Sequence, residues 1–191
     1  MTGVRRYYFR MARLVRLSAL AILLMTNAAP AAAQSSPQSS PDRADPIRYT
    51  LSFAARQNHY VEVEASVPTG GQPEVELMMA VWTPGSYMVR EYSRNVEDVK
   101  ARGDRGQPLD VEKSAKNRWR VRTGGASRVS LAYRVYGHEM SVRTNWIEGD
   151  FALINGAPTF MTLVDSPARP HEVTLSMPAV WKTSMTGLSE V

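Results

Sequence analysis

Three histidines, His59, His138 and His171, are the side chains best suited to bind a metal or move a proton in this chain. Two of them precede a glutamate, as His138-Glu139 and His171-Glu172. A zinc-protease helix needs a second histidine four residues after the first, so that both imidazoles face one ion while the glutamate polarises its water. Those positions hold Val142 and Leu175. Both dipeptides also sit in strand-like sequence, where residues four apart lie too far along the chain to share an ion. The histidines therefore read as surface or strand-edge residues, and no metal ligand is assigned. Nucleophilic chemistry fares no better. No Gly-x-Ser-x-Gly elbow is present, and Gly85-Ser86 is preceded by Pro84, so nothing would hold a serine in a strained turn. No Gly-x-Gly-x-x-Gly or phosphate-loop pattern occurs, which leaves nucleotide binding without support. The sequence assigns no catalytic residue.

Two other segments carry unusual residue density. In Trp82 to Val96, Pro84-Gly85 suits the centre of a type II turn, because proline fixes φ and glycine accepts a positive φ. Trp82, Tyr87 and Tyr92 are placed to cover one end of a sandwich. Arg90 and Arg94 are placed to pair with carboxylates while their stems lie on the rings. The segment reads either as a structural corner or as a contact surface for another domain or a substrate chain. The second segment runs from Glu139 to Phe160. Its Asn155-Gly156 pair, followed by Ala157-Pro158, is a tight-turn signal. Asn145 and Asn155 offer neutral amides that orient a peptide without adding charge. Turn formation is the commoner use of such asparagines.

The elements that would position these residues are strands. Ile47, Tyr49, Leu51 and Phe53 alternate with polar neighbours, the period of a half-buried strand. Residues 60–67 repeat the pattern and close at Pro68-Thr69-Gly70-Gly71, a turn signal. Glu74 to Trp82 is more continuously apolar, which predicts a strand covered on both faces. Further strands are expected at 96–102, 109–112, 118–122, 128–136 and 171–177. Gly103-Asp104-Arg105-Gly106, Thr123-Gly124-Gly125 and Ser166-Pro167 separate them. Residues 90–96 allow one helical turn at most. The prediction is an all-β domain, an antiparallel β-sandwich over residues 47–191.

Ahead of it, the order of basic, apolar and small residues is that of an export leader. Residues 1–16 hold five arginines, Leu17 to Met25 are apolar, and Ala31-Ala32-Ala33 suits a signal peptidase. The apolar run is about half what a bilayer-spanning helix needs, so residues 1–33 read as a cleaved signal peptide with no membrane attachment afterwards. Residues 34–46, rich in Ser, Gln and Pro, read as a disordered, flexible linker. The location implied is periplasmic or secreted. Cleavage would remove five of the 23 basic residues and no acid, leaving 18 of each and a net charge of zero. The high pI therefore does not signal nucleic-acid binding, which needs clustered Lys and Arg. With no cysteine, neither disulfides nor a lipid-linked cysteine holds the domain.

The motifs together resemble one family. Trp82-Thr83-Pro84-Gly85-Ser86-Tyr87 with Arg90-Glu91-Tyr92, then Arg94-Asn95-Val96, Lys116-Asn117-Arg118-Trp119, Tyr133-Arg134-Val135-Tyr136, Ser141 to Trp146 and Ile154-Asn155-Gly156-Ala157 look like the N-terminal domain of the glycyl aminopeptidase family of zinc metallopeptidases. That resemblance implies a β-domain joined to a thermolysin-like catalytic domain and a PDZ domain. The family's His-Glu-x-x-His helix, third zinc ligand and PDZ domain would lie beyond Val191, so the chain reads as a fragment without zinc or activity of its own. Its expected partner is the parent catalytic domain, with peptide substrate met only there. As polar turn residues amid apolar strands, Asn155 and Gly156, then Tyr87 and Arg90, are the residues expected to touch substrate if any do. The competing reading is a free-standing periplasmic β-sandwich binding module.

Overall fold

The computed structural model describes residues 4–9, 44–164 and 166–190. Fourteen strands form among them: β1 (Val4–Phe9), β2 (Ile47–Ser52), β3 (Tyr60–Pro68), β4 (Glu74–Met79), β5 (Val96–Arg102), β6 (Pro108–Leu109), β7 (Val111–Ala115), β8 (Arg118–Arg122), β9 (Arg128–Tyr136), β10 (Trp146–Ile147), β11 (Ala152–Leu153), β12 (Met161–Leu163), β13 (His171–Ser176) and β14 (Ser189–Glu190). An eight-stranded sheet has the order β14-β1-β13-β2-β3-β9-β5-β6, and a four-stranded sheet the order β12-β4-β8-β7. The expected all-β sandwich is what forms. Strand β1 falls inside the stretch read as a leader; the rest of that stretch and most of the linker lie outside the described residues. Among the described residues, no helix is long and apolar enough to cross a membrane.

Period-2 patterning explains the layers. Tyr49, Leu51, Val61, Val63, Val129, Leu131 and Val135 of the large sheet are buried, together with Leu77, Met79, Trp119, Val121 and Met161 of the small one. Two tyrosine hydroxyls bridge this core. Tyr49 donates to the Met161 carbonyl at 2.7 Å, and Tyr133 to that of Thr159 at 2.8 Å. Burial raises the pKa of both phenols, which keeps them protonated donors.

Four departures from the sequence reading have physical causes. Strand β4 alternates between buried and partly exposed residues, where coverage on both faces was expected. Its outer face is a charge ladder in which Glu74 and Glu76 meet Arg120 and Arg118 at 3.1 and 2.9 Å. The strand expected at 109–112 is two, because the chain changes sheet at Asp110. Strands β2 and β13 pair in parallel, against the antiparallel expectation; the long connection between them permits it. Strands β10, β11 and β12, with two or three residues each, are too short for a period to show.

The two ends of the sandwich differ. At the turn end, two of the crossings between sheets run through Thr-Gly-Gly. Thr69 Oγ1 donates to the Ala126 carbonyl and accepts from Gly71 N, while Thr123 Oγ1 donates to the Gln72 carbonyl and accepts from Gly125 N. Each threonine thus reaches the residue that follows the other's glycines. Gly70, Gly71, Gly124 and Gly125 all have φ between 61° and 84°, a region that glycine enters at little cost. The loop end holds the segments singled out from the sequence.

Candidate functional site

Trp82 to Tyr92 forms an exposed lobe at the loop end. Ser86 N bonds the Thr83 carbonyl at 3.1 Å across Pro84-Gly85, with Gly85 at φ 79°, as the turn reading requires. Arg90 N bonds the Val81 carbonyl at 2.7 Å and closes the lobe. Tyr92 is buried, but Trp82 is half exposed and Tyr87 fully exposed. Two of the three aromatic rings expected to cover the sandwich end therefore face water, joined there by Met88 and Val89. Thr83 Oγ1, Arg90 Nε and Tyr92 OH are buried with no hydrogen-bond partner among the described residues. Buried polar atoms normally find partners, so three orphans in ten residues mark the lobe as unusual.

The facing loop runs from Gly137 to Asn155 and is built around a buried amide. Asn145 Nδ2 donates to Thr159 Oγ1 at 2.9 Å, and its Oδ1 accepts from Asn155 N at 2.8 Å. Thr159 Oγ1 donates to the Asn155 carbonyl at 2.6 Å. Gly137 packs so closely that a Cβ there would lie 2.6 Å from Asn145 Cβ and 2.7 Å from Ile147 Cδ1. Met140 and Val142 stand exposed above this network. Arg94, in the turn just after the lobe, and Glu139 lie 3.8 Å apart beside a shallow groove that also involves Tyr136, His138 and Asn145.

Of the four residues expected to touch substrate, Tyr87 is open to solvent and Arg90 is half buried. Asn155 is engaged internally at both amide atoms: Nδ2 donates to the Val142 carbonyl at 3.0 Å and Oδ1 accepts from Ala157 N at 3.2 Å. The Gly156 carbonyl accepts from Thr159 N and Phe160 N at 3.2 and 3.0 Å. Asn155-Gly156 thus forms the expected tight turn and braces the loop.

The histidines hold a feature that spacing did not reveal. His59 and His138 stack with ring centroids 3.7 Å apart, and His138 stacks on Trp146 at 4.1 Å. His138 Nε2 lies 3.0 Å from Glu148 Oε1, and His59 Nδ1 lies 3.9 Å from Glu148 Oε2. A search for histidines four apart on one element misses partners brought together by three different segments. His171 stays apart, edge-on to Tyr49. Burial lowers its pKa, and Arg169 adds to the effect.

The fold is a β-sandwich domain of a kind found at the N-terminus of a peptidase family. Residues 48–191 match the family described as the Peptidase M61 N-terminal domain, and the chain belongs to that family. It is also similar to the crystal structure of an aminopeptidase N family protein from Idiomarina loihiensis, with a TM-score of 0.65 and 25% identity. The similarity covers 70% of this chain and 22% of that one, so this chain spans about a fifth of that protein's length. No curated protein sequence matches the chain. A metallopeptidase's zinc would need a His-Glu-x-x-His helix, and this sequence has none. The residues present do not form that ligand set.

Proposed function

We propose that the chain is the exported N-terminal domain of an aminopeptidase-like zinc metallopeptidase. In this reading it packs through its loop end against the catalytic domain, walls one side of the peptide-binding cleft, and has no activity alone. The carrying observation is that exposed apolar side chains gather at the loop end, together with three of the four orphaned polar atoms among the described residues. Trp82, Tyr87, Met88, Val89, Met140 and Val142 are exposed there, beside unpartnered Thr83 Oγ1, Arg90 Nε and Tyr92 OH. A contiguous exposed apolar patch is characteristic of an interaction surface. A second protein surface would cover the exposed rings. Tyr87 and Arg90 suit that contact. Asn155 and Gly156 act at one remove, by fixing the loop.

Fluorescence of an apolar dye on the purified chain tests the reading, together with an assay for release of amino-terminal residues. Strong dye binding is expected, at least halved in a Tyr87→Ser, Val89→Ser variant of unchanged melting temperature, with no peptide hydrolysis. Absence of dye binding would favour the free-standing binding module. Metal-dependent hydrolysis by the isolated chain would end the non-catalytic reading.

A further inference from the structure

We propose that His59, His138 and Glu148 form a binding site for one divalent cation of the zinc class, clipping together three segments at the loop end. Two imidazoles and a carboxylate are the donors such ions prefer, and all three donor atoms lie within 4.8 Å of one another. Ligand bonds of about 2.1 Å set tetrahedral donors roughly 3.4 Å apart. The 3.0 Å between His138 Nε2 and Glu148 Oε1 is close to that value. The three side chains are about one-quarter to one-third exposed, so an ion has access.

The backbone holds the cluster in place. His59 has φ 64° and closes the 3-10 turn Arg56–Asn58 as its left-handed C-cap. It is fixed by hydrogen bonds from His59 N to the Arg56 carbonyl at 3.0 Å and from Gly137 N to the His59 carbonyl at 2.8 Å. His59 Nδ1 lies 2.7 Å from the Ile147 carbonyl. A carbonyl only accepts, so Nδ1 carries the hydrogen and Nε2 keeps a free lone pair. That pairing of one nitrogen with a backbone carbonyl is usual for metal-bound histidine.

Stacked rings cannot both aim an in-plane lone pair at one ion. Binding therefore requires the more exposed His138 ring to tilt off the face of Trp146. The bound ion would hold three protein ligands and water, and would tie the segment before β3 to the β9–β10 loop and the turn after β10.

The test is calorimetric titration of the 191-residue chain with zinc chloride at neutral pH, followed by tryptophan fluorescence and thermal melting. One site per chain is expected, with a fluorescence change and a raised melting temperature. His59→Asn, which tolerates the left-handed backbone, and His138→Gln should each weaken binding at least tenfold. Glu148→Gln supplies a third variant should either fail to fold. His171→Gln should bind as the native chain does, and Trp146→Phe should lose most of the fluorescence change but not the binding. No saturable binding below about 100 µM free zinc (roughly 5.5 kcal/mol) would overturn the proposal. So would equal binding by the folded His59, His138 and Glu148 variants, which would mean an adventitious ion only.

Discussion

The two ends of this sandwich solve the same problem in opposite ways. Both must return strands across a buried core, and both carry glycine, threonine and charged side chains. At the turn end, the reciprocal Thr69 and Thr123 bonds close the crossings, and Asp104 accepts from Ser127 N and Arg128 N at 2.8 and 3.0 Å. At the loop end, the Asn145 amide network is equally complete, yet the lobe beside it leaves three polar atoms orphaned and Tyr87 fully exposed. The turn-end crossings are closed by the chain's own threonines, whereas the lobe at the loop end leaves its rings open to water. Among the described residues, three of the four such orphaned atoms lie in Thr83–Tyr92, and the fourth is Arg169 Nε. This concentration is not a general looseness of the fold.

The contrast can be broken in steps. Asn145→Ala should cost most, about 1–3 kcal/mol in a urea titration, because it leaves the Asn155 N–H without its acceptor and removes the hydrogen bond that buried Thr159 Oγ1 accepts. A loss under 0.5 kcal/mol would mean that the loop end is loose throughout. Thr123→Val should cost about 1 kcal/mol, through the lost hydrogen bond to Gln72 and the uncapped Gly125 N–H; no loss would remove the claim that reciprocal bonds hold the turn end. The smallest effect should come with acid. The Ser127 and Arg128 backbone N–H groups hold the Asp104 carboxyl below the usual range. A lowered folded value means that the stability it provides is present above about pH 4 and is lost as pH falls through the folded value. Amide exchange at Ser127 and Arg128 should rise there before exchange in β3 does, and Asp104→Asn should flatten that response.

Most of the sandwich was legible because burial on one face imposes a period of two. Residues 96–102, 118–122 and 128–136 fall on β5, β8 and β9 with the expected bounds. Asp110 hid a change of sheet, since alternation continues through it while the hydrogen-bonding partner does not. The exposed rings misled for a related reason. Sequence records that Trp82 and Tyr87 are apolar, but not which surface they meet. The pairing of His59 with His138 arises from strand registry, with Tyr60 opposite Tyr136. Only the alignment of β3 with β9 reveals it. Local spacing rules are blind to such meetings.

The parallel pairing of β2 with β13 sets an order of events during synthesis. Arg48 and Glu172, opposite each other in register, are 124 residues apart, and contacts that distant are slow to form. One flank of β2 finds β3 early; the other waits for nearly the whole domain to emerge from the ribosome. A nascent polypeptide halted before residue 176 would carry an apolar strand with a bare hydrogen-bonding edge, the arrangement that invites copies to pair with one another.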